Sequence, residues 1–214
     1  MRRIFCVVFL LVTVRLCWAG SIGTSGGPIL RQPIGARQIG MGEAFVAVAD
    51  DVNTIYWNPA GLSFLVAPEV SAMYSKSIVD TTYGTFAFNY PIYKGGIFGQ
   101  RRNAIGLGFV FLNGGDIDII MGSPTSTPER LKAEQDYVFI LGYSEMLSEL
   151  KLFGKPGNLF MGLNAKLIRS TLAEDYSATA FAFDYGHFYQ TGKISVGFVL
   201  QNKILLKHCT PHMD

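Results

Sequence analysis

Hydrophobic and polar positions alternate with a period of two along most of this chain after residue 69. Successive side chains of a β-strand point to opposite faces, so this alternation predicts an antiparallel, all-β fold. Seven or eight strands fit the pattern. The clearest cover residues 83–90, 104–113, 137–144, 158–168, 179–187 and 194–201.

The two faces of these strands differ in kind. One face is bulky and apolar, as at Ile105, Leu107, Phe109 and Phe111, and the other is small or polar. Strands of about 9–11 residues suit a tilted crossing of a bilayer, with tyrosines at the interfaces and polar residues inside. The candidate interfacial tyrosines are Tyr74, Tyr90, Tyr137, Tyr143 and Tyr185. The pattern therefore favours a transmembrane β-barrel, and a soluble β-sandwich is the alternative.

Two segments interrupt the alternation. Residues 114–135 predict a long loop, with a short helical piece at the charged stretch 129–134. Residues 145–152 (EMLSELKL) predict one or two helical turns at the end of a strand. The sequence GKPG at 154–157 predicts a turn.

Residues 1–19 have the pattern of a secretory signal peptide. Arg2 and Arg3 precede the apolar stretch 4–14, and cleavage after Ala19 follows from the small residues near it. That stretch is shorter than the roughly 20 residues of a membrane-spanning helix. A lipoprotein signal at Cys17 and a buried N-terminal strand or helix are alternatives.

The composition agrees with export. Three of the 18 basic residues lie in the signal, so the remainder carries slightly more acidic residues than basic ones, and no nucleic-acid partner is expected. Cys209 would be the one cysteine left, which excludes an intrachain disulfide. The 24 glycines and 13% aromatic residues, without a helical span after the signal, predict a protein of the outer membrane.

An ordered motif, GMGEAFVAVADDVNTIYWNPAGL, occupies residues 40–62. It resembles the N-terminal signature of the PorV/PorQ family, within the FadL-like group of outer-membrane proteins. The resemblance covers about residues 33–202 and includes the later stretches 159–189 and 194–202. The matching positions are Gly40, Gly42, Ala49, Asp50, Asp51, Asn58, Pro59, Ala60 and Gly61.

The resemblance implies a barrel of about 14 strands with the N-terminal segment folded inside as a plug or hatch. In that reading residues 20–68 form the plug and residues 69–202 the barrel strands. The residues make sense there: Pro59 restricts Asn58 to extended backbone, and Ala60-Gly61 permits a tight reversal. Asp50 and Asp51 are expected to cap backbone N–H groups or to pair with basic lumen residues such as Lys166.

The length departs from that family, because 14 strands need about 300 residues. Residues 203–214 also form a mixed polar tail where such barrels usually end on a strand with a terminal aromatic residue. Three explanations stand open: a truncated or frameshifted family member, a small eight-stranded barrel, or a partial barrel that is completed by oligomerisation or is soluble.

No enzyme, cofactor or metal site is expected. His187 fits a packing role, and His208, Cys209 and His212 lack a fourth ligand. The resemblance implies passage of hydrophobic small molecules, such as long-chain fatty acids, across the outer membrane. The alternatives are a carrier of proteins for a type IX secretion system and a soluble exported ligand-binding protein. The expected partners are outer-membrane lipid, the outer-membrane assembly machinery, and hydrophobic or exported cargo.

Overall fold

The computed structural model describes residues 28–77, 80–99, 102–119, 129–152, 155–173 and 176–211. The predicted signal at 1–19 lies outside these ranges, as do residues 153 and 154 of the predicted GKPG turn. The first described part holds only short helical elements. These are a 3-10 turn at Pro28–Arg31, helix α1 at Ala36–Gly40, helix α2 at Thr54–Trp57 and a 3-10 helix at Pro59–Phe64.

Nine strands follow in the described ranges, and the pairings among them are antiparallel, which confirms the all-β prediction. They are β1 (Glu69–Lys76), β2 (Thr82–Ile92), β3 (Asn103–Asn113), β4 (Asp116–Ile119), β5 (Glu129–Lys132), β6 (Glu134–Leu152), β7 (Lys155–Leu172), β8 (Tyr176–Thr191) and β9 (Ile194–Pro211). Seven of them form one sheet in the order β1-β2-β3-β6-β7-β8-β9, with β1 and β9 at its edges. Strands β4 and β5 form a separate hairpin.

The large sheet has the reverse burial pattern of a water-soluble β-protein, so that its bulky apolar face is the exposed one. The small or polar face is buried, as at Ala104, Asn164 and Asp184. The bulky face is open: Phe139 is 53% exposed and Leu141 is 59% exposed. A soluble sheet buries its large side chains and leaves the polar ones in water. Here the N-terminal residues cover the polar face instead.

Register places the residues of the bulky face in rows across the sheet. One row holds Tyr90, Ile105, Tyr143, Leu163 and Tyr185. The next two are apolar, Phe88-Leu107-Leu141-Ala165-Phe183 and Phe86-Phe109-Phe139-Leu167-Phe181. The fourth holds Tyr74, Gly84, Phe111, Tyr137 and Arg169. Apolar rows thus lie between two rows that contain tyrosine.

Buried contacts join the N-terminal residues to the polar face in two clusters. The larger one sets Val52, Ile55, Tyr56 and Leu62 against small and branched residues of β2, β3 and β6–β8. The smaller one sets Ala60 against Phe160 and Phe188, with Phe64 packed edge-on to both rings. Burial of this kind stabilises by about 25 cal/mol per Å² of apolar surface.

Both helical predictions after residue 69 are wrong. Residues 145–152 continue β6, with a bulge between Met146 and Ser148 that keeps them paired to β7. Residues 129–132 form β5, and Arg130 reaches Asp116 at 3.8 Å and Asp118 at 3.4 Å on the paired strand. In both places a partner strand supplies hydrogen bonds that a short isolated helix lacks.

The strands of the second half are longer than expected. Strand β6 runs for 19 residues and β7 for 18, whereas the pattern predicted about 9–11. Strand β9 continues through Pro211, into the segment predicted as a polar tail. Among the described residues, no helix is long and apolar enough to cross a bilayer.

Candidate functional site

Asn58 begins the Asn-Pro-Ala-Gly turn and is fully buried. Its backbone is extended, with φ −154° and ψ 101°, as the following proline requires. The side-chain Oδ1 accepts a hydrogen bond from the Ala60 N–H at 3.2 Å. The Nδ2 donates to the Val46 carbonyl at 2.9 Å and to the His187 carbonyl of β8 at 3.1 Å. This one amide therefore ties the turn to the segment before it and to the sheet.

Glycines of the sheet make room for the turn. A Cβ built on Gly162 would meet the backbone of Pro59 and Ala60, and one on Gly186 would meet the Asn58 Oδ1. Gly61 itself is closed in by Thr54 and Ala49. The predicted turn residues Asn58, Pro59, Ala60 and Gly61 thus pack directly against the sheet. This close approach requires glycine at positions 162 and 186.

Amide side chains of the strands donate hydrogen bonds to the C-terminal carbonyls of α2. Asn164 Nδ2 donates to the Ile55 carbonyl at 2.7 Å. Gln201 Nε2 donates to the Tyr56 carbonyl at 2.8 Å and to the Trp57 carbonyl at 2.9 Å. The last carbonyls of a helix have no partner within the helix, so these bonds satisfy groups that would otherwise be buried without one.

A buried ion pair lies beside this contact. Lys166 Nζ is 2.8 Å from Asp184 Oδ2, and their side chains are 5% and 0% exposed. Asp184 also accepts from Asn164 Nδ2 at 3.0 Å and from the Asn202 N–H at 2.8 Å. The prediction that Lys166 pairs with Asp50 or Asp51 is therefore wrong, because Asp184 holds this ammonium group from the neighbouring strand.

Arg37 is the partner of the acidic pair. Its guanidinium contacts both Asp50 oxygens, at 2.6 and 2.9 Å, and Asp51 Oδ2 at 3.1 Å. The hydrogen bonds from Arg37 hold the pKa of Asp50 below its ordinary value, against the opposing effect of partial burial. Asp51 Oδ1 accepts from the Asn53 N–H at 2.9 Å, which confirms the predicted backbone cap.

Gly40 and Gly42 do not join this site. Both are exposed, and a Cβ on either would meet nothing within 4 Å. Gly42 has φ +66°, a left-handed conformation that favours glycine. The structure gives this residue a backbone role in an exposed turn, away from the buried Asn-Pro-Ala-Gly turn.

A pocket of about 390 Å³ lies between the N-terminal residues and the start of the sheet. Pro33, Ala36 and Ile39 form one side, and strands β1–β3 form the other. Its wall combines apolar groups with the hydroxyls of Ser75, Ser77, Thr81 and Tyr83. Such a lining suits a molecule with a hydrocarbon part and a few polar atoms.

His187 is the one histidine whose side chain the structure describes. His187 Nε2 contacts the Tyr185 hydroxyl, two residues along β8. Within the described ranges, no three His, Cys, Asp or Glu residues lie together as a metal site would need. The side chains of His208 and Cys209, and the whole of His212, lie outside what the structure describes.

Comparison with known proteins adds no assignment, since no family model matches this chain and no curated protein is significantly similar to it. Sequence reasoning found the turn but missed its partners. Arg37 carries no local signal. Asn164, Gln201, Gly162 and Gly186 did carry one, because all four fall on the small or polar face of their strands.

Proposed function

We propose that this chain is an outer-membrane β-barrel protein that passes hydrophobic small molecules, with its N-terminal residues as a plug on the lumen side of the wall. The reverse burial pattern of the sheet is the observation that carries this proposal. Large apolar side chains cover the exposed face, and the face toward the N-terminal segment combines buried polar residues with small, branched and aromatic ones. Lipid-facing and lumen-facing strand residues alternate in this sense in membrane barrels.

The exposed apolar rows argue against a monomer in water. Leu107, Phe139, Leu141 and Phe181 are each about half exposed or more, and they belong to two neighbouring rows. Contiguous apolar patches beyond a few hundred Å² are rare on soluble monomers. In a bilayer the same rows contact acyl chains, and the rows with Tyr74, Tyr137, Tyr90 and Tyr143 lie near the two interfaces.

A bilayer also requires that the sheet edges be paired. Strands β1 and β9 are the edges of the seven-stranded sheet. An unpaired backbone group in hydrocarbon costs several kcal/mol. We therefore propose that these edges pair in the membrane, with one another or with further strands.

The substrate class follows from the pocket beside the plug. Its volume of about 390 Å³ and its mixed lining suit an amphiphile with one long hydrocarbon chain, such as a fatty acid. Ile39 lines this pocket and is 46% exposed, so a larger side chain there would narrow the pocket.

Membrane fractionation followed by an uptake assay tests this proposal. We expect the chain in the outer-membrane fraction, with different migration of unheated and boiled samples on a detergent gel. In cells that depend on it, uptake of a fluorescent long-chain fatty acid should fall severalfold in Ala36→Trp, which fills the pocket. Ile97→Trp, at an exposed turn outside the pocket, should leave uptake unchanged. Recovery of the chain without detergent would overturn the proposal.

The alternative function is that of a carrier of exported proteins. The same experiment distinguishes this function from transport of small molecules. In that case Ala36→Trp would leave fatty-acid uptake unchanged, and the membrane protein would co-purify with exported cargo. The pocket favours the transporter, because it is sized for a small molecule.

A further inference from the structure

The outward face of the sheet contains a hollow that the rows of large side chains leave open. Its volume is about 670 Å³, and it extends over the two apolar rows from Phe86 on β2 to Leu205 on β9. Ala165 lies between Leu141 and Phe183 in one row, where a small side chain leaves space among larger neighbours. The hollow is therefore part of the surface packing of the sheet, and it lies on the opposite face from the plug.

The lining of the hollow contains no free charge. Lys166 belongs to the strand beneath it, but the Lys166 ammonium group is bound to Asp184 and is nearly unexposed. Phe109 and Phe139 pack with ring centroids 4.9 Å apart, so the floor is a continuous apolar surface. A hydrocarbon chain fits such a groove, whereas a polar ligand would lose its hydrogen bonds to water there.

Two exposed cations border the hollow: Lys203 lies opposite Phe183 in an apolar row, and Arg169 lies at the level of the tyrosine row. Arg169 follows Leu167 by two residues on β7, about 7 Å along the strand, and faces the same way. It is exposed, and in the register it lies between Tyr137 and Thr179. No ion pair joins it to the described residues. An arginine at this level can hold a phosphate through paired N–H groups.

We propose that this face binds one anionic membrane lipid, with an acyl chain in the hollow at Ala165 and its phosphate on Arg169. This inference rests on the proposed membrane location but not on the transport activity, because the lipid lies on the face opposite the pocket. The bound lipid would fill a gap that mobile bilayer chains otherwise fill poorly.

Native mass spectrometry of the full chain in mild detergent tests the site. The protein is titrated with phosphatidylglycerol, which is anionic, or phosphatidylcholine, which has no net charge. We expect one phosphatidylglycerol to be retained at about tenfold lower concentration than phosphatidylcholine, as a charge-assisted contact implies. Arg169→Gln should abolish that preference, and Ala165→Trp should weaken retention of both lipids.

Lys193 supplies the matched control. It is also exposed, and it lies in the turn between β8 and β9, outside the lining of the hollow. We expect Lys193→Gln to keep the preference for phosphatidylglycerol. Equal retention of both lipids by the unmodified chain, or unchanged retention in Ala165→Trp, overturns the lipid site alone. A chain that needs no detergent overturns the lipid site and the membrane proposal together.

Discussion

Asn58 and His187 are 129 positions apart in the chain, and the Asn58 amide donates a hydrogen bond to the His187 carbonyl at 3.1 Å. The same amide group bonds to Val46 and Ala60. One buried side chain thus fixes the N-terminal residues on strand β8. The contact requires that strand β8 and the N-terminal residues both be in place.

Replacement of Asn58 by alanine should destabilise the protein more than any other single change in the turn. Asn58→Ala leaves the Val46 and His187 carbonyls buried without these donors, and each such group costs about 1–3 kcal/mol. Unfolding by denaturant in detergent should show a loss of about 2–5 kcal/mol. Asn53→Ala is the control, since the Asn53 side chain caps nothing at the start of α2. Equal losses in both variants would remove the special role of Asn58.

A methyl group added at either sheet glycine that faces the Asn-Pro-Ala-Gly turn should weaken the packing of this turn against the sheet. Gly162→Ala directs its Cβ at the Pro59–Ala60 backbone, which cannot move without the whole turn. Gly186→Ala meets the end of the Asn58 side chain, which is easier to shift. Overpacking costs about 1–3 kcal/mol, so both variants should lose stability, Gly162→Ala more than Gly186→Ala.

Limited proteolysis of the N-terminal residues measures the same effect locally, with faster cleavage expected in Gly162→Ala. Gly95→Ala is the control, because its Cβ would meet nothing within 4 Å. The reverse order of the two variants at the sheet glycines would show that the turn adapts more easily than its hydrogen bonds suggest.

The buried pair Lys166–Asp184 should show strong coupling between its members. Lys166→Met leaves the Asp184 carboxylate buried without its cation, and breaking such a pair costs about 3–5 kcal/mol. The double variant Lys166→Met with Asp184→Leu removes both charges and should regain part of that loss. A double-mutant cycle on the free energy of unfolding measures the coupling. Additive losses would mean that Asn164 and Asn202 already satisfy the carboxylate.

The sequence predicted strands and faces well, because alternation is a local property. The alternating positions Ile105, Leu107 and Phe109 indicate an apolar face of the strand, and this inference does not depend on what the face contacts. Partner choice is not local: Lys166 was expected to meet Asp50 or Asp51, and only strand register shows that Asp184 is adjacent. Residues 145–152 misled for a similar reason. Their spacing suits a helical turn, and pairing with β7 across a bulge overrides it.

The contact between Asp50 and Arg37 should make the N-terminal residues sensitive to acid. Arg37 lowers the pKa of Asp50, so the folded state favours the charged carboxylate. The stability from this contact is fully present above the unfolded pKa of about 3.9, and it is lost as the pH falls through the lower, folded pKa.

Both side chains are well exposed, at 50% for Arg37 and 40% for Asp50, so we expect less than about 1 kcal/mol. The difference in unfolding free energy between the unmodified chain and Asp50→Asn should be constant from pH 7 to about pH 5 and should vanish near pH 2. It should also shrink in high salt. Glu43→Gln is the control, because this exposed carboxylate forms no ion pair with the described residues. A difference that persists at pH 2 would mean that the Asp50 side chain acts through its shape and hydrogen bonds, and not through its charge.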